Sequence, residues 1–470
     1  MRAEPQAAPY RPDMPILGLA SWLGDEVRPA EFPKAEVRFR NDRSARAVGL
    51  GELSDADWVR HFARFEPLPD NMPSPLALRY HGHQFRAYNP EIGDGRGFTF
   101  AQLRDGAKEH RGRLLDLGTK GSGLTPYSRT ADGRLTLKGA VREILATEML
   151  EALGVYTSQT FSVIETGEEL ERGDEPSPTR SAVLVRLSHS HVRIGTFQRL
   201  AVFQDDEHMR ALVDYCLAQF PGPHPPENAP DRDEPAVVLM HQAVERLADL
   251  AASYMAAGFV HGVLNSDNMN ITGESFDYGP WRWLPSWDPG FTAAYFDRTG
   301  LYAFGRQPEA IRWNLAQLAA SLRRLVEAPP LVAAMERFPE LYHRAIARRF
   351  CWRLGVESAG LKRDLALIGA AERAMRESKI GPDAFFFAHR GGRNATGELA
   401  AALADYSAEA DDHSYWSGDV PQSMLIDEVE AIWAAIAEHD DWQPLTAKIA
   451  AVRQMGDAHG EPPAPAGHSL

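Results

Sequence analysis

Apolar positions follow two different patterns along the chain, one before residue 200 and one after it. In the first part, short apolar runs at 114–120, 159–166 and 181–188 are bounded by glycines and polar residues, which predicts β-strands. A helical pattern lies between them, at 137–154. After residue 200 the apolar spacing is helical, with a long amphipathic run at 236–258. The chain therefore begins strand-rich and ends mainly helical.

This order predicts an α+β fold, with a strand-rich N-terminal lobe, a mainly helical C-terminal lobe and a cleft between them. We expect residues 1–45, rich in Pro, Arg and Glu, to form an extended arm. Residues 456–470 are poor in apolar side chains and are predicted to be disordered. The boundaries that follow are 46–198 for the N-terminal lobe and 199–455 for the C-terminal lobe.

Composition narrows the class of protein. The formal net charge of −15 argues against a nucleic-acid coat or a polybasic membrane anchor. The two cysteines are too few for a disulfide framework or a cysteine metal cluster. No stretch has the apolar length of a signal peptide or a membrane span. We therefore expect a soluble, cytoplasmic protein with free thiols, and neither nucleic acid nor membrane as a partner.

Candidate chemistry is concentrated in HGVLNSDNMNITGESFDYG, which begins at His261 and follows the long amphipathic run. Protein kinases carry H-R-D-L-x-x-x-N followed by D-F-G, which supplies a catalytic base and magnesium ligands. Asn268 lies seven residues after His261, as in that pattern, and Asp277 stands where the D-F-G aspartate would be. Val263 replaces the catalytic aspartate, while Asp267 places a carboxylate beside the amide. The stretch predicts a nucleotide–metal site with altered chemistry; the alternative is a helix stop followed by solvated loop residues.

A glycine-rich turn, GDGRG at 93–97, separates two segments with strand-like composition, and Asp132-Gly133 makes a second turn. Glycines let a backbone come close to phosphate groups and leave N–H groups pointing at them. The first turn is therefore a candidate nucleotide-covering hairpin. An ordinary hairpin turn would have the same composition, and the sequence leaves that alternative open.

Lys120 ends a predicted strand, and the helix that follows offers Glu143 and Glu148. In kinases a strand lysine that binds phosphates is held by a glutamate on the next helix. Glu143 falls opposite the apolar stripe of this helix and Glu148 falls within it, so the pattern does not choose between them. Arg186 and Arg193, seven residues apart, could bind phosphate oxygens or form surface ion pairs.

Several long motifs occur in the order and spacing of one known family. They are HGHQF with GDGR, KGSGLTPYSR with DGR, REILATEML, SHSHVRIGTF, HGVLNSDNM with DYGP, and DPGF with GLYAFGRQP and WNLAQLA. Across residues 76–320 the chain resembles the selenoprotein O family, also called the YdiU family. The resemblance implies a protein-kinase-like fold. It also implies transfer of AMP from ATP to Ser, Thr or Tyr hydroxyls of protein substrates, with UMP transfer from UTP attributed to bacterial members.

The resemblance also implies roles for individual residues. Asp267 would accept the hydroxyl proton, and Asn268 and Asp277 would hold Mg²⁺ or Mn²⁺. Glu143 would be the partner of Lys120. The nucleotide contacts implied are Gly93, Gly95, Arg96, Lys120, Asp132, Gly133, Arg186, Arg193 and Asp277.

Two other functions fit the same residues. A true kinase would attach phosphate and release ADP, but Val263 stands at the position of its base. A non-catalytic scaffold would bind ATP without turnover. Neither alternative is removed by the sequence.

Overall fold

The computed structural model describes residues 8–106, 112–173, 175–409, 412–464 and 466–467. Within these residues the largest sheet has eight strands, all paired antiparallel, in the order β1-β3-β6-β7-β10-β9-β2 with β8 alongside β10. Two short two-stranded sheets, β4-β5 and β11-β12, lie outside it. The strands are β1 (Gly24–Glu26), β2 (Glu36–Arg40), β3 (Leu76–Leu78), β4 (Gly82–Gln84), β5 (Ala87–Asn89), β6 (Thr99–Arg104), β7 (Leu114–Lys120), β8 (Leu135–Thr136), β9 (Gln159–Leu170), β10 (Thr179–Ser188), β11 (Phe259–Val260) and β12 (Arg282–Trp283).

The helices follow mainly after the sheet. They are α1 (Ala20–Leu23), α2 (Asp42–Ala47), α3 (Asp55–Phe62), α4 (Leu137–Ala152), α5 (Ile194–Val202), α6 (Asp206–Gln219), α7 (Pro235–Ala257), α8 (Gln307–Leu322), α9 (Ala328–Glu336), α10 (Phe338–Leu354), α11 (Leu361–Ser378), α12 (Pro382–Ala388), α13 (Gly397–Leu403), α14 (Ile426–His439) and α15 (Gln443–His459). The predicted strands at 114–120, 159–166 and 181–188 and the helices at 137–154 and 236–258 are confirmed. The architecture is mixed α/β with an antiparallel sheet.

The central strands β7 and β10 are buried over almost their whole length, because both faces of the sheet are covered. On one face, α4 packs its apolar residues against β9 and β10 and joins the main core. On the other face, Trp58 and Phe62 of α3 pack against Phe161 of β9 in a separate aromatic core. Helices on both faces hold the strand ends in fixed positions, which is what a site built on them requires.

Helix α7 is the centre of the helical part, and nearly all of its side chains are buried. It begins with Pro235 at a position where no backbone donor is lost, and it ends at Gly258 in the left-handed conformation (φ 65°). Helices α8, α9 and α10 surround it. The chain leaves α7 through β11 directly into the loop at His261.

The two ends of the chain differ from the expected arm and tail. Residues 24–26 and 36–40 form β1 and β2, which pair with β3 and β9 and so extend the sheet. At the other end, α15 continues to His459, and Met455 and His459 are buried. The residues predicted to be disordered therefore begin inside a helix.

Both cysteines are buried free thiols, as expected. Among the helices described, none combines the length and apolar character needed to cross a bilayer.

Candidate active site

The loop after β11 is fixed by His261, which is buried. Its backbone N–H donates to Gln307 Oε1 (3.1 Å), and its ring Nε2 lies 3.2 Å from the carbonyl oxygen of Phe276. That second contact joins the 261–268 loop to the segment carrying Asp277. This contact holds the two candidate metal-binding segments side by side, although they are separated along the chain.

Four of the predicted residues form one charged cluster. The Nζ atom of Lys120, at the end of β7, lies 2.7 Å from Glu143 Oε2 and 3.0 Å from Asp277 Oδ1. Arg186 Nη1 on the neighbouring strand β10 lies 3.7 Å from Glu143 Oε1 and 3.7 Å from Asp277 Oδ1. The pairing register of β7 and β10 places these side chains near each other, because Lys120 pairs with Leu184 and Arg186 pairs with Gly118.

Asp277 is the exposed member of this cluster. Its side chain is 31 % exposed, whereas those of Lys120 and Glu143 are 6 % and 1 % exposed, so the carboxylate faces the open side. Its backbone adopts the left-handed conformation (φ 63°), which few residues other than glycine take without a local reason. Burial acts to raise the pKa of Asp277, but Lys120, Arg186 and other arginines outweigh it and hold the pKa well below the usual range. The group is an anion at neutral pH.

Arg193 is buried behind the loop and joins three parts of the site. Its Nη1 donates to the backbone carbonyl of Asp267 (3.2 Å), and its Nη2 lies 3.3 Å from Asp94 Oδ1. Its guanidinium also lies over the rings of Tyr80 (4.1 Å) and Phe276 (5.0 Å). It therefore fixes the glycine-rich turn relative to the 261–268 loop as well as adding positive charge.

Asp267 is buried, and one of its carboxylate oxygens has few contacts. Its Oδ2 accepts a long hydrogen bond from Gln84 (3.4 Å), while Oδ1 has no hydrogen-bond partner among the described residues. Burial raises the pKa of Asp267 to about 6, with the charge of Asp277 adding to the effect and Arg193 opposing it. A carboxylate with an unpartnered oxygen and a pKa near neutrality has the properties of a general base.

Asn268 supplies an amide beside this carboxylate. Its Nδ2 donates to the carbonyl oxygen of Val263 (3.0 Å), so the amide oxygen points away from that contact. Carboxylate and amide oxygens are the donors that Mg²⁺ and Mn²⁺ take, so Asn268 and Asp277 fit a divalent cation in their chemistry. In the part of the chain that is described, no group of three His, Cys, Asp or Glu side chains is arranged for a metal. A cation here would depend on these two residues and on ligands from a bound molecule.

A cleft of about 260 Å³ opens beside the cluster. Its lining is unusually basic for an acidic protein, and it is bordered by Tyr278 and Gly279 directly after Asp277. Arg134 is bonded to Glu168 (2.8 Å) and Arg172 to Asp132 (2.8 Å). The basic side chains that line the cleft are Arg96, Lys120, Arg134, Arg142 and Arg172.

The predicted glycines are required by close packing. A Cβ atom on Gly93 would lie 2.4 Å from the ring of Tyr127, and one on Gly95 would lie 3.0 Å from the carbonyl oxygen of Tyr127. Gly133 has φ +69°, and a Cβ there would lie 2.2 Å from the carbonyl oxygen of Gly123. The turn at 93–97 is a connection from the small β4–β5 hairpin into β6, so it is not the tip of a two-stranded hairpin.

The structure brings most of the predicted residues close together, but not all of them contact one another directly. Lys120, Glu143, Arg186 and Asp277 touch directly, whereas Asp132 reaches the cleft through Arg172. Sequence reasoning missed Gln84 and Asp94, which contact Asp267 and Arg193, and the cleft arginines at 134, 142 and 172. The first two lie within motifs quoted above, but spacing along the chain gave no reason to select them.

Comparison with known proteins supports the resemblance found in the sequence. A family model described as "Protein adenylyltransferase SelO" matches residues 7–418. A "Protein nucleotidyltransferase YdiU" from Synechococcus elongatus is 41% identical, with 96% of this chain and 96% of the relative aligned. Its namesake from Synechocystis sp. is 40% identical over 93% of this chain and 96% of the relative. The chain therefore belongs to the protein adenylyltransferase SelO family and is an enzyme of that family.

Proposed function

We propose that this enzyme transfers AMP from ATP to Ser, Thr or Tyr hydroxyls of other proteins and releases pyrophosphate, with UTP as an alternative donor. The observation that carries the proposal is the buried carboxylate of Asp267, with one free oxygen, beside the Lys120–Glu143–Asp277–Arg186 cluster. The descriptions of the family and of its relatives as protein adenylyltransferases or nucleotidyltransferases support the reaction class and the protein acceptor.

In this proposal the acceptor oxygen attacks the α-phosphorus of the nucleotide as its proton passes to Asp267. The bond from the α-phosphorus to the bridging oxygen of pyrophosphate breaks, and pyrophosphate leaves with that electron pair. A carboxylate with a pKa near 6 is ionised at neutral pH and can take the proton without a large energetic penalty. Val263 cannot perform this role because its side chain is a hydrocarbon.

Charge neutralisation is the second contribution of the protein. Transfer at phosphorus depends mainly on positioning and on stabilising the charge that develops on the oxygens. Lys120 at the end of β7, Arg186 in β10 and Arg193 just before α5 converge on the acidic segment, and Arg96 lines the adjoining cleft. These four cations are proposed to hold the triphosphate, with the turns at 93–97 and 132–133 contacting the rest of the nucleotide.

A divalent cation, Mg²⁺ or Mn²⁺, would supply further neutralisation of the phosphates when bound. Asn268 and Asp277 are its proposed protein ligands. Lys120 and Arg186 both contact Oδ1 of Asp277, so we propose that its Oδ2 is the oxygen that would bind the cation. We also propose a protein-kinase-like arrangement of two lobes around the cleft and a cytoplasmic location. The antiparallel sheet followed by helices supports the former.

The label position in ATP separates this reaction from its alternatives. We expect label from [α-³²P]ATP, and none from [γ-³²P]ATP, to be incorporated into proteins of a heat-inactivated bacterial lysate in the presence of Mg²⁺ or Mn²⁺. Incorporation of the γ-label would indicate a kinase. Binding of ATP without incorporation of either label, by a chain that also fails to modify itself, would indicate a scaffold. Competition by unlabelled UTP measures the donor preference.

A further inference from the structure

The β4–β5 hairpin carries an aromatic side chain outward from the site. Its two turn residues, Phe85 and Arg86, both have positive φ (50° and 64°), as a two-residue turn between tightly paired strands requires. Such turns favour asparagine and glycine, and a bulky residue in this conformation costs about 1 kcal/mol or more. The chain keeps a phenylalanine here although its side chain is partly exposed and the backbone disfavours it. We therefore expect the ring to have a function other than forming the turn.

Phe85 belongs to an exposed aromatic patch, which we define as Phe85, Tyr295 and Phe296. The ring of Phe296 lies 5.7 Å from that of Phe85 and 5.1 Å from that of Tyr295. Tyr295 is 86 % exposed, the highest value among the large exposed apolar side chains described. Soluble proteins rarely place several aromatic rings together in water unless the surface binds something.

The patch is continuous with the loop that carries Asp267. The backbone N–H of Phe85 donates to Asn265 Oδ1 (3.0 Å), and the hydroxyl of Tyr302, whose ring lies 5.0 Å from that of Phe85, donates to the same oxygen (2.8 Å). Gln84, one residue before Phe85, donates to the carboxylate of Asp267. A molecule resting on the patch would therefore lie next to the proposed base.

The charges around the patch also favour one kind of occupant. Arg86 and Arg306 at the rim share the exposed anion Glu309 (3.1 Å each), and the exposed residue Arg298 follows Phe296 by two positions in the chain. Asp297, the residue after Phe296, is buried and accepts from the backbone N–H groups of residues 301 and 302. The rim is thus cationic on a protein whose net charge is −15.

We propose that the patch is the docking surface for the acceptor protein, an inference that rests on the function proposed above. The patch binds an extended acceptor segment that carries an aromatic or large aliphatic side chain within about three residues of the modified hydroxyl. Three residues of an extended chain span about 10 Å. Acidic residues farther along the segment face the arginine rim. Phe85 and Tyr295 determine which hydroxyls are modified, while the nucleotide is bound on the side of the basic cleft.

A peptide set tests this directly. Peptides with one central Ser, Thr or Tyr are flanked, at up to three positions, either by Phe or Leu or by Ala only. Incorporation of label from [α-³²P]ATP gives kcat/KM for each peptide, and pyrophosphate release gives the KM for ATP. The variants are Tyr295→Ser, which changes an exposed side chain, and Phe85→Asn, which removes the ring but suits the positive φ. Val420→Ser, at an exposed apolar residue outside the patch, is the matched control.

We expect the unmodified enzyme and Val420→Ser to prefer Phe- or Leu-flanked peptides by about tenfold or more, as removal of a central aromatic contact often costs. Both patch variants should lose that preference while the KM for ATP stays unchanged. Three results would overturn the inference. They are equal labelling of all peptides, no labelling of any peptide by a chain that modifies itself, and a preserved preference in both patch variants. Failure of the proposed function is recognised separately, because then no AMP is transferred to any peptide or to the chain itself.

Discussion

Asp267 has two properties that rarely occur together, burial and an oxygen without a partner in the described structure. Leaving a buried carboxylate oxygen unsatisfied is costly, so its retention indicates a use beyond stability. Gly82 makes the space for it, because a Cβ there would lie 2.9 Å from Asp267 Oδ1. The hairpin thus packs directly against the carboxylate.

The pH dependence of the rate follows from this residue. Asp267 must be ionised to accept a proton, and its pKa is raised to about 6, so the rate should fall as pH drops through about 6. Asp267→Asn should reduce the rate by about 10²–10⁴-fold at pH 7.5 and leave nucleotide binding in place. Pyrophosphate release at saturating ATP, measured from pH 5 to 8, provides the profile. A rate independent of pH over this range would contradict the assignment.

The same substitution should stabilise the fold. A carboxyl whose pKa is raised in the folded state favours folding when protonated and opposes it when ionised, so its cost grows as pH rises. Removing the charge by Asp267→Asn should therefore add roughly 3 kcal/mol at pH 8, from a pKa raised to about 6 over an ordinary value near 3.8. The gain should shrink as pH falls toward 4. Urea denaturation at several pH values measures it, and lower stability of the variant at pH 8 would count against a destabilised anion.

At the level of elements, α4 is held between the sheet and the last helix. One face of α4 packs on β9 and β10, and α15 lies against the helix on another side. Glu143 reaches Lys120 at the site, while Glu148 is bonded by Arg453 of α15 through two hydrogen bonds (2.8 and 2.6 Å). The C-terminal helix thus helps to fix the element that positions the proposed phosphate-binding lysine.

Loss of this contact should be measurable in stability. Arg453→Ala leaves the buried carboxylate of Glu148 unpaired, and because Arg453 is 34 % exposed we expect a loss of roughly 1–3 kcal/mol in urea denaturation. Arg373→Ala is the matched control, since both Arg373 and its partner Glu398 are largely exposed. Equal effects of the two substitutions would show that α15 does not hold α4.

Elements with strong local patterns were predictable, and contacts across long sequence distances were not. The periodicity of 137–154 identified α4, but pattern alone could not choose between Glu143 and Glu148, because the choice depends on Arg453, which lies 305 residues away along the chain. Residues 36–40, EVRFR, form a strand only because they pair with β9. The candidate metal-binding segments were predicted because the kinase pattern fixes their spacing, whereas the aromatic patch joins residues from positions 85 and 295–296 that no local pattern connects.

For the whole molecule, ligand binding and stability should be coupled through Asp277. A ligand at 100 times its Kd adds about 2.7 kcal/mol to the free energy of unfolding. ATP with Mg²⁺ should therefore raise Tm by several degrees, and ATP with EDTA should raise it less. Asp277→Asn should remove the part that depends on the metal, because a carboxylate ligand is lost. An unchanged response to Mg²⁺ in that variant would place the cation elsewhere.

The proposed reaction moves AMP, and not phosphate, from ATP to a hydroxyl. The intact mass of the purified chain, before and after incubation with ATP and Mg²⁺ or Mn²⁺, tests it most directly, with Asp267→Asn treated in parallel. We expect the unmodified protein to gain one or more adenylyl groups and the variant to gain none. A gain equal to phosphate groups, or an adenylyl gain that survives in the variant, would contradict it.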